Sequence, residues 1–108
     1  MNTALEMLNE NCHPTAIQTV SDLVAIGAAE TLLQQGVKIP EDISLAGFGN
    51  ILVAEHFRVP LTTVRQPKLR LGLAAMDSLM ALIRGETVQT KRLPAEVIER
   101  QSTAAPKG

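Results

Sequence analysis

Residues 43–48, ISLAGF, constrain the fold of this chain most, because they form an apolar run with hardly any alternation. Strands of this kind are usually covered on both faces, as in parallel sheets. A second short candidate strand covers residues 15–20, and between the two runs a helical pattern begins at Asp22 and ends near Gln35, before Gly36. Strand, helix and strand in about 35 residues form a right-handed βαβ unit. The sequence therefore predicts an α/β fold with a parallel sheet.

Other elements follow from local signals. Thr3 and Glu6 have the capping-box spacing that starts a helix. The remaining predictions, in chain order, are a helix over residues 4–11, a helical turn or structured loop over 51–57, a strand over 61–64, a helix over 67–84 and a strand over 93–99, placed at a sheet edge because it contains Pro94. Residues 1–103 are expected to form one domain fragment, and residues 104–108 a loose tail.

The helix predicted over residues 67–84 has more apolar surface than one neighbour covers. Two stripes at helical spacing run along it, Leu69, Leu73, Met76, Met80 and Ile83 in the first and Leu71, Ala75 and Leu82 in the second. Burial of one such large side chain stabilises a protein by about 1.5–3 kcal/mol. We therefore expect this helix to have two packing partners, part of which lies outside this chain.

Composition excludes several classes of protein. With 108 residues, 45% of them hydrophobic and 19% charged, the chain suits one soluble globular domain. A net charge of −1 provides no basic surface for nucleic acid or an anionic membrane. Neither a membrane-spanning run nor a signal peptide is recognised in the sequence. A single cysteine, Cys12, excludes an internal disulfide and fits a reducing compartment, so we expect a cytoplasmic protein.

Motifs for catalysis and metal binding are missing from the sequence. The nucleophile motif Gly-x-Ser-x-Gly does not occur, and two histidines with one cysteine provide no spacing for a metal site. Gly47 and Gly49 begin a dinucleotide fingerprint, but Leu52 stands where its third glycine belongs. We expect no enzyme, no metal and no cofactor.

Polar residues follow both strands of the βαβ unit. Ser21 and Asp22 come after the first strand, and Phe48 and Asn50 come after the second. Ligands of open α/β sheets bind beyond the carboxyl ends of the strands, so these residues could converge on a small polyhydroxylated ligand. The alternative is that Ser21 and Asp22 cap a helix while Asn50 shapes a turn.

Four segments together resemble the lactose-repressor (LacI/GalR) family of bacterial transcription regulators. They are SDLVAIGA, GVKIPEDISLAGF, PLTTVRQP and IERQST, and the resemblance extends over residues 4–103. It implies a periplasmic-binding-protein-like, two-lobed core that binds a small effector, usually a sugar or nucleobase, and that forms a homodimer. This chain is similar to the last third of such a protein. The strand with Thr62 and Thr63 and the helix from Pro67 would belong to the second lobe, with a return to the first near Leu93. DNA would be bound only through a helix-turn-helix headpiece, which this sequence does not contain.

The resemblance also implies roles for individual residues. Ser21 matches a residue that contacts the effector, with Asp22 as the acidic residue beside it. Gly49 stands where many members have the first aspartate of Gly-Phe-Asp-Asp, and Asn50 would be a weaker substitute for that carboxylate. Two positions, Ile26 and Phe57, match the family's dimer interface, although ordinary core packing explains them equally well.

Two other function classes compete with a transcription regulator. A fragment of a sugar-binding protein from a transport system would share the fold, but the segment PLTTVRQP would be unexpected in it. An enzyme on a flavodoxin-like sheet would need a cluster of acidic residues or a phosphate loop at the strand ends, and neither is found in the sequence.

Overall fold

The computed structural model of the protein describes residues 14–106, so the helix predicted over residues 4–11 lies outside the described residues. The chain divides into two compact units. Within the described residues, the first unit consists of 14–65 and 97–106, and the second consists of Gln66–Glu96.

A parallel sheet organises the first unit, as predicted. Strand β1, Ala16–Gln18, pairs in parallel with strand β2, Ser44–Ala46, and Ile17 stands opposite Leu45. Strand β3, Thr63–Arg65, continues this arrangement through a parallel bridge between Ala46 and Thr62. Strand β4, Glu96–Ile98, pairs with β3. The α/β fold class with parallel strands is therefore confirmed.

Helix α1, Asp22–Gln34, connects β1 to β2, and both of its ends agree with the prediction. Ser21 is the N-cap, because its Oγ accepts a hydrogen bond of 3.3 Å from the backbone N–H of Val24. Gly36 closes the helix with φ of +83°, a left-handed conformation that costs glycine little. The helix places small and branched apolar side chains against the sheet: Ala25, Ala29 and Leu32, packed with Leu45 and Leu61.

For residues 51–57 the sequence predicted either a helical turn or a structured loop, and the structure has a short helix there. Helix α2, Leu52–His56, buries Ala54 completely in the same core. The carbonyl of Ala54 accepts a hydrogen bond of 2.9 Å from the N–H of Leu61, which leads the chain towards β3.

The crossing between the two units differs from the expectation. Thr62 and Thr63 were expected in the second lobe, but both belong to the first unit, and the chain leaves it only at Gln66. The reason is backbone pairing: the N–H groups of Gly47 and Gly49 donate to the carbonyls of Thr62 and Val64, each at 2.9 Å. The chain returns to the first unit at Val97, four residues later than the predicted Leu93.

The C-terminal segment is tied to the sheet further along than predicted. Ser102 is buried, accepts the N–H of Thr62 at 2.8 Å on its Oγ, and donates that hydroxyl to the carbonyl of Leu45. Ala104 was expected to begin a loose tail. Instead its N–H donates to Oγ of Ser44 at 2.9 Å, and the hydroxyl of Ser44 bonds its carbonyl at 3.1 Å.

The second unit is built on helix α3, Lys68–Ile83, which begins after Pro67 and ends before Gly85, as predicted. None of its residues is buried, and both predicted stripes are exposed: Leu69 is 78% and Ile83 69% exposed in the first stripe, and Leu71 is 49% and Leu82 59% exposed in the second. This agrees with the expectation that part of the surface covering this helix is not contained in the chain. No helix among the described residues is long and apolar enough to cross a membrane.

Candidate functional site

The carboxyl ends of β1 and β2 lie side by side. The N–H of Thr19 donates to the carbonyl of Ala46 at 2.9 Å, and one step further the N–H of Asp22 donates to the carbonyl of Phe48 at 3.1 Å. The parallel direction of the strands brings five residues to one edge of the sheet, Ser21, Asp22, Phe48, Gly49 and Asn50. We call this set the rim. The predicted convergence of these residues is thus present in the structure.

Ser21 caps α1 and keeps further hydrogen-bonding capacity. Its Oγ accepts the N–H of Val24 and so caps α1, which stabilises a helix by about 1 kcal/mol. A serine hydroxyl has a second lone pair and a proton to donate. The side chain is half-buried, so this remaining capacity can serve a ligand.

Asp22 is a buried residue of the rim, and its carboxylate is used inside the protein. Oδ1 accepts a hydrogen bond of 2.6 Å from the hydroxyl of Thr63, and Oδ2 accepts one of 2.8 Å from the N–H of Ile51. The side chain is 1% exposed, and its position in the first turn of α1 suits a negative charge. Asp22 therefore ties α1, the start of α2 and β3 together, and its side chain is not presented at the surface where it was expected to contact an effector.

Gly47 makes room for this carboxylate. A Cβ atom at Gly47 would overlap with Oδ1 of Asp22, and it would stand 3.0 Å from the Cα of Asp22 and from a methyl group of Leu61. The glycine that sequence reasoning compared with a dinucleotide fingerprint is instead required by the close approach of α1 to the end of β2.

Left-handed backbone shapes the outer part of the rim. Gly49 has φ of +120° and Asn50 has φ of +54°. The second value is one that asparagine adopts more readily than most residues. The N–H of Asn50 donates to Oγ1 of Thr63 at 3.2 Å, so the turn is anchored to the same threonine that bonds Asp22. Phe48 is half-buried beside this turn.

Arg100 is a rim contact that sequence reasoning missed. Its guanidinium donates from Nη2 to Oδ1 of Asn50 at 2.8 Å and from Nη1 to the carbonyl of Leu61 at 2.9 Å, and its N–H donates to Oγ1 of Thr62 at 2.9 Å. The residue lies in the segment IERQST, fifty positions after Asn50. That motif marked the resemblance, but nothing in a single sequence shows which strand end the arginine reaches.

The residues predicted for a dimer interface both pack on the core. Ile26 and Phe57 are partly buried against the core cluster. Arg58 lies over the ring of Phe57, 6.0 Å from its centroid, and pairs with Glu30 of α1 at 2.6 Å. Core packing thus covers part of the surface of Ile26 and Phe57 and leaves the rest exposed. Other apolar side chains of α1 and α2 are more exposed than they are.

Clusters of titratable side chains provide no metal site in the part of the chain that the structure describes. Within residues 14–106, no group of three or more His, Cys, Asp and Glu side chains is placed to hold a metal ion.

Comparison with known sequences gives one consistent family. The pattern of the periplasmic binding protein-like domain matches residues 1–103. The chain is 35% identical over 99 residues to the HTH-type transcriptional repressor PurR of Aliivibrio fischeri, covering 90% of this chain and 29% of that repressor. It is 36% identical over 98 residues to the ribose operon repressor of Haemophilus influenzae, covering 89% of this chain and 30% of that one. The chain thus spans less than a third of the length of these relatives.

Solved structures with the same fold include a repressor and a transcription regulator. A lac repressor dimer bound to operator and the anti-inducer ONPF superposes with a TM-score of 0.86 at 31% identity, covering 96% of this chain and 37% of that one. The transcription regulator CcpA of Lactococcus lactis superposes with a TM-score of 0.82 at 30% identity, covering 95% and 38%.

Proposed function

The chain belongs to the LacI family of transcription regulators and corresponds to part of their periplasmic-binding-protein-like core, and on this basis we propose that its rim binds a small-molecule effector. One observation supports this most strongly: the parallel pairing of β1 with β2 gathers polar groups at the carboxyl edge of the sheet. Ligands of open α/β sheets bind at this edge.

Within the rim we assign separate tasks. Ser21 and Asn50 would bond the effector through their hydroxyl and amide groups, and Phe48 would form part of an apolar wall. Asp22 would position these groups from inside the protein, because both of its carboxylate oxygens accept hydrogen bonds from protein groups. A sugar-type effector was expected from the resemblance, and the absence of a carboxylate at Gly49 weakens that expectation for a neutral sugar.

The whole regulator would act beyond this chain. Its relatives are named as repressors, which favours a regulator over a transport protein and over an enzyme. We propose that DNA binding resides in a separate headpiece and that the protein works in the cytoplasm, as a repressor of transcription does.

A homodimer is proposed through the surface formed by α1 and α2. The segment that contains α2 is tied to α1 at two points, because Arg58 pairs with Glu30 and the N–H of Ile51 donates to Oδ2 of Asp22. The surface contains the partly buried Ile26 and Phe57. It also includes exposed apolar side chains: Leu23 is 69% exposed, Leu52 76% and Val53 51%.

Sedimentation equilibrium tests this surface. We expect Leu52→Glu to raise the dissociation constant of the dimer at least tenfold, because a charge would have to be buried at the interface. Leu69→Glu, which places the same charge on the exposed face of α3, is the matched control. Dissociation by the control alone would show that α3 drives association, contrary to the proposal.

Thermal unfolding with added ligands tests the effector site. D-ribose, D-ribonate and uracil serve as probes, and one that binds should raise Tm by several degrees, since a ligand at 100 times its Kd adds about 2.7 kcal/mol of stability. Ser21→Gly should reduce that increase at least by half, because it removes the hydroxyl while glycine at an N-cap costs only a few tenths of a kcal/mol. Ser78→Ala on α3 is the control. An increase that Ser21→Gly leaves unchanged would place the ligand elsewhere.

A further inference from the structure

We infer that Asn50, oriented by Arg100, makes the rim selective for an effector group that accepts hydrogen bonds, a carboxylate above all. This inference rests on the proposed effector site and specifies its ligand. Three properties of the rim lead to it: the orientation of the Asn50 amide, the partners of the Arg100 cation, and the absence of a free acidic side chain among the rim residues.

The orientation of the Asn50 amide follows from the chemistry of its partner. A guanidinium group has five N–H donors and no acceptor, so the atom that it faces must be an oxygen. Nη2 of Arg100 stands 2.8 Å from Oδ1 of Asn50, which fixes the oxygen on that side. The NH₂ group then points away from Arg100, and no acceptor within residues 14–106 bonds it. Asn50 therefore offers two donors and withholds its acceptor.

The guanidinium of Arg100 donates hydrogen bonds to neutral groups only. Within the described part of the chain its guanidinium bonds the amide oxygen of Asn50 and the backbone carbonyl of Leu61, and it forms no ion pair. The side chain is half-buried, so its charge is screened less than that of an exposed arginine. A negative charge near Asn50 would be attracted to it.

No carboxylate of the rim is free to accept a hydroxyl proton from a ligand. Asp22 accepts from Thr63 and Ile51 and is 1% exposed, and Gly49 has no side chain. A neutral sugar binds through hydroxyls that need acceptors as well as donors, whereas a carboxylate needs donors alone. Hydrogen bonds to an ionised oxygen are also about twice as strong as neutral ones. The rim therefore favours a sugar acid or a similar small carboxylate over the corresponding sugar.

Calorimetric titration of the chain with D-ribonate and D-ribose tests this selectivity, because the two probes share a carbon skeleton and differ in the carboxylate. We expect ribonate to bind at least tenfold more tightly than ribose. Asn50→Asp keeps an oxygen facing Arg100, so it should retain the fold and its Tm, but it loses both donors and adds a negative charge. Ribonate affinity should then fall at least tenfold and the preference for ribonate should disappear.

Gln101→Glu places the same additional charge next to Arg100 in the sequence at an exposed position, and it should leave the preference intact. Ribose binding as tightly as ribonate, with Ser21→Gly weakening both, would overturn the selectivity and leave the effector site standing. A ribonate preference that survives Asn50→Asp would overturn the role of Asn50. If neither probe binds, the selectivity is overturned, and failure of uracil as well would overturn the effector site too.

Discussion

Gly47→Val is expected to unfold the first unit or to lower its free energy of unfolding by about 3 kcal/mol or more. The added Cβ would overlap with Oδ1 of Asp22, whose backbone Cα is only 3.0 Å away and cannot retreat without moving α1. Expelling the carboxylate would also break its hydrogen bonds to Thr63 and Ile51. Urea unfolding followed by circular dichroism measures the loss.

The control for this substitution is Gly72→Ala. Its Cβ would meet no atom within 4 Å, and alanine in a helix interior is favoured over glycine by about 1 kcal/mol. We expect unchanged or raised stability for this variant. If Gly47→Val retained the stability of the unsubstituted chain, the close approach of Asp22 to β2 would be wrong.

Asp22→Asn should have the second large effect, a loss of about 2–4 kcal/mol in the free energy of unfolding. Asparagine has nearly the shape of aspartate, but its NH₂ group would face one of the two donors, the hydroxyl of Thr63 or the N–H of Ile51. One buried donor is then left without a partner, and the remaining bond loses the assistance of the charge. The favourable position of the carboxylate at the N-terminus of α1 is also lost.

Asp77→Asn is the matched control, since it makes the same chemical change at an exposed position of α3. It should alter stability by less than about 0.5 kcal/mol. A double-mutant cycle with Thr63→Val separates the contact from other effects of the substitution. Additive losses for Asp22→Asn and Thr63→Val would show that the two side chains do not interact, contrary to the structure.

Local sequence signals predicted the framework of the first unit well. The unalternating run over residues 43–48 gave a parallel buried strand, and Ser21 and Gly36 marked the two ends of α1. These features depend on a few neighbouring residues: a capping hydroxyl, a glycine able to adopt positive φ, and the period of apolar side chains. The strands themselves are shorter than predicted, three residues each for β1, β2 and β3.

The chemistry of the site was predicted less well, because it depends on contacts distant in sequence. Asp22 was predicted to contact a ligand, but the hydroxyl of Thr63, 41 residues away, donates a hydrogen bond to one of its carboxylate oxygens. Arg100 reaches Asn50 across 50 residues. Pairing within the first unit also retains Thr62 and Thr63 there. A helix cap depends on residues that are close in sequence, whereas the burial of a carboxylate depends on which strand the fold places beside it.

A ligand is proposed to bind at the carboxyl edge of β1 and β2. Amide chemical shifts of the ¹⁵N-labelled chain, titrated with D-ribonate and D-ribose, test it most directly. We predict that the backbone amides of Ser21, Gly49 and Asn50 shift in a saturable way, while those of Thr15 and Ile43 at the opposite edge stay in place. Saturable shifts confined to Thr15, Ile43 and their neighbours would contradict the claim.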